Sequence, residues 1–184
     1  MLGYKVTTAP VTEPVTIAEA KAHCRILGDD EDSVLAGFIS AAREYAEAVH
    51  NKSYAVKTIT AVADFLDKSY ELPVLPVTQI TSITVKDSAG NVSNITEKFE
   101  LDDFTGRVVL TPGESLPSVQ LYHMNPVQIT FKSGASPSAK TKQAMLLLVG
   151  HWFENREEVV VGTQSFSVPM AAEALLQQER HPYL

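Results

Sequence analysis

The chain is poor in the residue groupings that most protein chemistry requires. Its 184 residues hold one cysteine, Cys24, which excludes an internal disulfide framework and suits a reducing compartment. No apolar run is long enough to span a bilayer, and the first residues, MLGYKVTTAPVTEP, lack a basic segment followed by an apolar one. Neither membrane insertion nor secretion is therefore expected. The nine glycines are scattered at turns instead of forming a phosphate-binding loop, and no cysteine pair or His-Glu-x-x-His spacing offers a zinc site. The five histidines, His23, His50, His123, His151 and His181, are dispersed. No local signature brings a nucleophile, a base and a charge stabiliser together. Lys and Arg number 15 against 22 Asp and Glu, a net charge of -7, and they do not cluster. That balance argues against a protein that grips nucleic acid, because such binding rests on neutralising phosphates.

What is present is a folding pattern. With 45% hydrophobic and 20% charged residues, the chain can bury a core as one domain, residues 1–184. Thr16-Ile17-Ala18-Glu19 is a capping box, predicting a short helix to about Arg25. Gly28 breaks it, and Asp29-Asp30-Glu31-Asp32 reads as the cap of the next helix. A calcium loop would need interleaved glycine and a distant Glu, which are missing. From residue 32 to about 50, Val34, Leu35, Phe38, Ile39, Ala42, Tyr45, Ala46 and Val49 define one apolar helical face. Residues 16–50 thus hold two N-terminal helices.

Residues 54–132 change texture. The segments at 54–63 and 77–85 are β-branched, Asp87-Ser88-Ala89-Gly90-Asn91 supplies a hairpin turn into residues 92–95, and short strands are expected near 98–101, 107–111 and 127–132. Residues 114–126 fit no element clearly. Helical periodicity returns at 138–156, where Ala144, Leu147, Leu148, His151 and Trp152 share one side and Met145, Leu146, Val149 and Phe153 widen it. So wide a stripe predicts burial on more than one side. Residues 157–168 read as a loop or short hairpin, and Pro169 opens a last short helix over about 171–180. The expected class is α+β: a small helical bundle with an inserted antiparallel β portion and a C-terminal arm, residues 157–184.

The densest segment is His151-Trp152-Phe153-Glu154-Asn155-Arg156-Glu157. Trp152 beside Arg156 can anchor an interface, or Trp152 can be a core residue with Arg156 favouring the helix C-terminus. Composition leaves both open. A lone histidine such as His151 on an apolar face is usually a satisfied core or interface residue. An enzyme whose site is assembled from distant groups, for example His151, Glu154, Asp102 and Asp103, is the alternative of a different class.

Several segments together resemble the head-tail connector (adaptor) family of long-tailed bacteriophages and prophages. They are Val15 through Lys21, the Asp29–Asp32 run with its helix through Ala48, Leu72-Pro73 and Pro76-Val77 leading into Ile80 to Val85, and Lys142-Gln143-Ala144 through Glu157, closed by Pro169 and Leu175-Leu176. The resemblance touches about two thirds of the chain by segment order and spacing. The family often has Leu where Cys24 stands and Tyr where Phe153 stands.

The resemblance implies a structural, non-enzymatic subunit without cofactor or metal. It would form a ring, dodecameric in the particle, that docks beneath the portal protein, extends the channel for double-stranded DNA and meets a tail-side neck or tail-completion protein. The expected location is the virion neck, with host cytoplasm during assembly and no membrane. An acidic balance would keep a passing polyanion from sticking to the channel wall. Subunit-interface candidates are Arg43, His151, Trp152, Asn155 and Arg156. Portal-binding candidates in the arm are Phe166, Val168, Pro169, Leu175, Leu176, Tyr183 and Leu184. Another neck or tail-completion subunit shares the ring logic and remains an alternative.

Overall fold

The computed structural model describes residues 2–155 and 170–179, and the chain divides into two compact units. The first comprises Met1–Val11 and Ala55–Ala135, the second Thr12–Tyr54 and Ser136–Leu184.

The first unit is built of eight antiparallel strands, β1 (Gly3–Thr8), β2 (Lys57–Ala63), β3 (Ser69–Glu71), β4 (Val77–Lys86), β5 (Val92–Asn94), β6 (Phe99–Asp102), β7 (Arg107–Leu110) and β8 (Val127–Ser133). One sheet runs β1-β2-β8-β4-β5 and the other β3-β7-β6. Strand residues alternate sides, so register decides which ones are buried. Ile59 lies opposite Phe131 and Ala61 opposite Ile129, while Ile83 and Val85 face Ile129 and Val127 from the other flank. These side chains share one core with Tyr70 and Val108 of the smaller sheet, and Phe99 and Leu101 pack against it. The two sheets therefore lie face to face over a single apolar layer. The predicted turn is present: Asp87 accepts hydrogen bonds from the Asn91 backbone (2.8 Å) and side chain (2.9 Å). At Gly106, φ is +69° and a Cβ would stand 2.0 Å from Leu75 Cδ2, so a side chain there would strain the backbone and force Leu75 to move.

Two strands escaped the sequence reading. β1 is exposed along its whole length, so no buried face marks it, and β3 has three residues, too few to show a period. Residues 114–126 contribute no strand, although Leu121 bridges to Asp87.

The second unit is helical: α1 (Ile17–Cys24), α2 (Asp32–His50), α3 (Ala139–Glu154) and α4 (Met170–Gln177). The capping box forms as expected, with Glu19 N–H donating to Thr16 Oγ1 (3.2 Å) and Thr16 N–H to Glu19 (2.9 Å). Ser138 caps α3 through the Thr141 amide, 3.1 Å. The acidic run needs correcting. Glu31 stands at the N-cap of α2 without a side-chain capping bond, and Asp29 and Asp32 instead grip Lys21, each at 2.5 Å. Asp32 still places its charge in the first turn, where the helix dipole favours it. The apolar face of α2 buries Leu35, Ile39, Ala42 and Ala46 against Ala144, Met145, Leu148 and Val149 of α3 and Ala172 and Leu176 of α4. Cys24 is half-buried, 4.0 Å from the position a Cβ on Gly150 would take. Burial pushes its thiol pKa up, and Glu154 adds to that. Among the described residues no helix is long and apolar enough to cross a membrane.

Candidate functional site

Arg43 occupies the middle of α2 and is 5% exposed. Its guanidinium donates to Glu13 (2.7 Å), to Glu47 (2.9 Å) and to Glu44 (3.3 Å). Burial alone would lower the pKa of Arg43, but the facing carboxylates outweigh it and raise the value above the ordinary one. Glu47, also buried, takes the Tyr54 amide at 2.7 Å and the Ser53 hydroxyl at 3.3 Å. The network ties the segment before α1 to α2 and to the turn that follows it. Arg43, an interface candidate by resemblance, thus has its fork engaged inside its own subunit.

His151, Trp152 and Asn155 stand together at the end of α3. Trp152 is half-buried beside Phe38, with ring centroids 6.4 Å apart, and it packs against the helical core. The Asn155 amide donates to the His151 carbonyl at 2.9 Å. Trp152 thus belongs in part to the core of its own unit and keeps some exposed surface. Arg156 lies outside the described residues.

Of the arm candidates, Leu175 is half-buried and Leu176 fully buried. The Leu176 carbonyl meets His50 Nε2 at 2.7 Å, and His50 Nδ1 meets the Tyr54 hydroxyl. Two residues past the helix, Glu179 accepts from Ser138 (2.6 Å) and Thr141 (2.7 Å). Those hydroxyls hold its carboxyl pKa below the usual range. α4 is therefore fastened by two apolar side chains and two polar clasps. Phe166, Val168, Pro169, Tyr183 and Leu184, and the loop expected at 157–168, lie outside the described residues.

The groups named for an enzyme have other employment or lie in different units. Asp102 folds its own turn, accepting from the Phe104 amide (3.1 Å) and the Thr105 hydroxyl (2.5 Å), which lower its pKa. Asp102 and Asp103 belong to the β unit, His151 and Glu154 to the helical one. Among the described residues no cluster of three or more His, Cys, Asp or Glu could hold a metal ion. A cleft of about 630 Å³ opens at one end of the β unit beside Asp64, Asp67, Glu71, Phe65 and Asn125. Beside its carboxylates stand the Ser69 and Tyr70 hydroxyls, the first accepting from Arg107 (3.2 Å) and the second donating to the Phe65 carbonyl (3.1 Å).

Sequence reasoning did not single out the exposed apolar side chains Leu27, Phe65 and Phe104, which are 102%, 78% and 94% exposed, each between regular elements where no periodicity distinguishes a buried from an open residue. It also missed a second tie across the helical unit, Lys142 to Glu19 at 2.7 Å. With the Thr16 bonds, that ammonium holds the Glu19 carboxyl at a pKa of about 2.

Comparison with known proteins supplies what the geometry does not. The profile of the phage gp6-like head-tail connector protein family matches residues 14–108, over half of the chain. No curated protein matches the sequence. Among solved structures, a chain from the neck of an empty gene transfer agent particle, computed with C6 symmetry, superposes with a TM-score of 0.76 at 22% identity, covering 99% of this chain and 97% of that one. A chain of the native gene transfer agent virion gives 0.76 at 23% identity, covering 98% and 96%. One from the native neck computed with C12 symmetry gives 0.72 at 21% identity, covering 100% and 97%. These likenesses show the same α+β fold over nearly the full length. With its family profile matched from the capping box through the smaller sheet, the chain belongs to the phage gp6-like head-tail connector proteins and is a structural connector subunit of a phage-like particle.

Proposed function

We propose that the chain works as one member of a closed ring, twelve copies in the particle, lying in the neck between the portal and the next tail-side protein. Double-stranded DNA would pass through the opening without being read, and no reaction would be catalysed. The observation that carries this reading is the family match, joined to full-length likeness to chains taken from necks with sixfold and twelvefold symmetry. A ring needs two different faces on each subunit that match each other, because its contacts are heterologous. Physical support comes from the helical unit, where Arg43 and Glu179 are spent on internal ties, and from a β unit that leaves large exposed side chains at its turns. Assembly in the host cytoplasm and residence in the virion belong to the same reading. The arm, residues 157–184, is the proposed portal contact. Because Leu176 is buried in its own subunit, the residues beyond α4 and before it are the ones expected to reach the portal.

The test is mass measurement and negative-stain imaging of the purified chain with and without purified portal. Rings on the portal are expected, and a variant ending at residue 179 should retain its fold while losing portal affinity. A chain that never joins a closed assembly with portal present would overturn the reading. Rings that form on a tail-side neck protein and ignore the portal would favour the alternative neck subunit.

A further inference from the structure

The charge of the β unit is sorted by sheet. The five strands of the larger sheet contain no Asp or Glu, although the chain has 22, and they carry Lys5, Lys57, Lys86 and Lys132. Alternation fixes where these point. Phe131 and Val85 are buried, so their neighbours Lys132 and Lys86 stand on the opposite, outer face. Lys5 lies opposite Thr60 and joins them there. The remainder of that face is short and polar. Thr7, Thr60 and Thr130 form a hydroxyl ladder across three strands, at 2.8 and 3.3 Å, flanked by Gln128 and Gln79. None of these side chains is buried. Lys86 lies 3.8 Å over the Tyr122 ring, which leaves Lys5 and Lys132 as the open cations.

The smaller sheet has the reverse composition. Tyr70 and Val108 face the core, so Glu71, Glu100 and Asp102 point outward around Arg107 and Val109. Arg107 faces two of the three carboxylates, with Glu71 at 4.0 Å, and cannot neutralise the face. The turn beyond adds Asp103 and the 94% exposed Phe104, stiffened by the Asp102 bonds. Because the two sheets enclose one core, their outer faces lie on opposite sides of the unit. The strands of one face carry lysine and no carboxylate, and the other face is anionic with an exposed aromatic side chain at its turn.

We propose that the outer face of the larger sheet of one copy receives the acidic face of the smaller sheet, with Phe104, of the next copy. The proposal rests on the ring reading above and names its two matching surfaces. Identical subunits of net charge -7 repel unless opposite local charges are brought together. Faces on opposite sides of a unit suit a ring of many members, since the twelvefold symmetry seen for a similar neck chain turns each copy by only about 30°. Thr methyls and lysine stems give Phe104 a flat amphipathic seat, while Lys5 and Lys132 meet Glu100 and Asp103. A passing DNA backbone also complements lysines, but it offers nothing to an acidic face bearing an exposed phenyl ring.

A charge-swap experiment tests this on the full chain, by mass photometry and native mass spectrometry over a concentration and salt series, with and without portal. The K5E/K132E variant has both faces acidic, and E100K/D103K has both basic. All four positions are exposed, and circular dichroism checks the fold; K5Q/K132Q and E100Q/D103N serve as milder forms. Each swapped variant alone should assemble about tenfold less readily or worse. Mixed in equal amounts they should form rings again, of even copy number and alternating composition. High salt should weaken the wild-type ring and the mixed ring alike. Singles that assemble as the wild type does, or a mixture that fails to recover, would overturn the pairing while leaving the ring reading in place. Normal rings that merely lose retention of a short DNA duplex would assign the lysines to DNA and equally overturn it. A wild-type chain that forms no closed assembly even with portal would mean that the ring reading itself had failed.

Discussion

Replacing Arg43 with alanine separates an internal pin from an interface residue. Its side chain is 6% exposed and joins glutamates whose side chains differ in exposure: Glu47 at 9%, Glu13 at 28% and Glu44 at 70%. The Glu44 bond is a surface pair and contributes almost nothing. Glu47 decides the magnitude, because removing one partner of a buried ion pair leaves an uncompensated charge and costs about 3–5 kcal/mol. Donation from the Tyr54 amide and the Ser53 hydroxyl to Glu47 softens that loss, and Glu13 can turn to water. A destabilisation of about 3 kcal/mol is expected for R43A. Urea denaturation followed by the fluorescence of Trp152 reads it directly, since Trp152 is the only tryptophan and packs on the same helical core. The double variant R43M/E47Q should recover much of the loss, because it leaves no charge at either position while the Gln Oε1 still accepts from Tyr54 and Ser53. A loss below about 1 kcal/mol, within the range of surface pairs, would refute the reasoning. So would a variant of normal stability that fails only in ring formation, which would return Arg43 to the interface.

Acid should loosen the helical unit in part through Glu19. Its folded pKa is about 2 against an ordinary value of 4.5, so its contribution is fully present above 4.5 and disappears as the pH falls toward 2. The E19Q variant should show a flatter dependence of stability on pH across that window than the wild type, measured by thermal melts; parallel profiles would dismiss the Lys142–Glu19 tie. At Gly106 a methyl group meets both a positive φ and Leu75, so G106A should cost about 2–4 kcal/mol. Adding L75A removes the clash but not the backbone strain, so the methyl should cost only about 1 kcal/mol in the L75A background. An equal cost in both backgrounds would show that the contact with Leu75 does not matter.

Local chemistry was legible where a single segment supplies all the partners. Thr16 and Glu19 lie three residues apart and form the capping box whatever the remainder of the chain does. The face of α2 through Leu35, Ile39, Ala42 and Ala46 follows from helical period alone, and the Asp87–Asn91 turn from side-chain bonds to its own backbone. The acidic run shows where that method stops. Asp29 and Asp32 look like a cap in one dimension, but Lys21, on the preceding helix, offers a full positive charge at 2.5 Å and captures both.

By itself, then, the sequence determined the order and kind of the main elements, the lack of local catalytic motifs, and a set of spaced segments that carry the connector family. Those properties depend on near neighbours and on period, both written along the chain. Only the tertiary structure decided that Arg43 and Leu176 face their own subunit, that β1 joins the sheet edge, and that lysines from residues 5, 86 and 132 share one face while carboxylates from 71, 100 and 102 share another. Burial and electrostatics act between groups that the register brings together. Register between strands dozens of residues apart is set by packing the whole core at once.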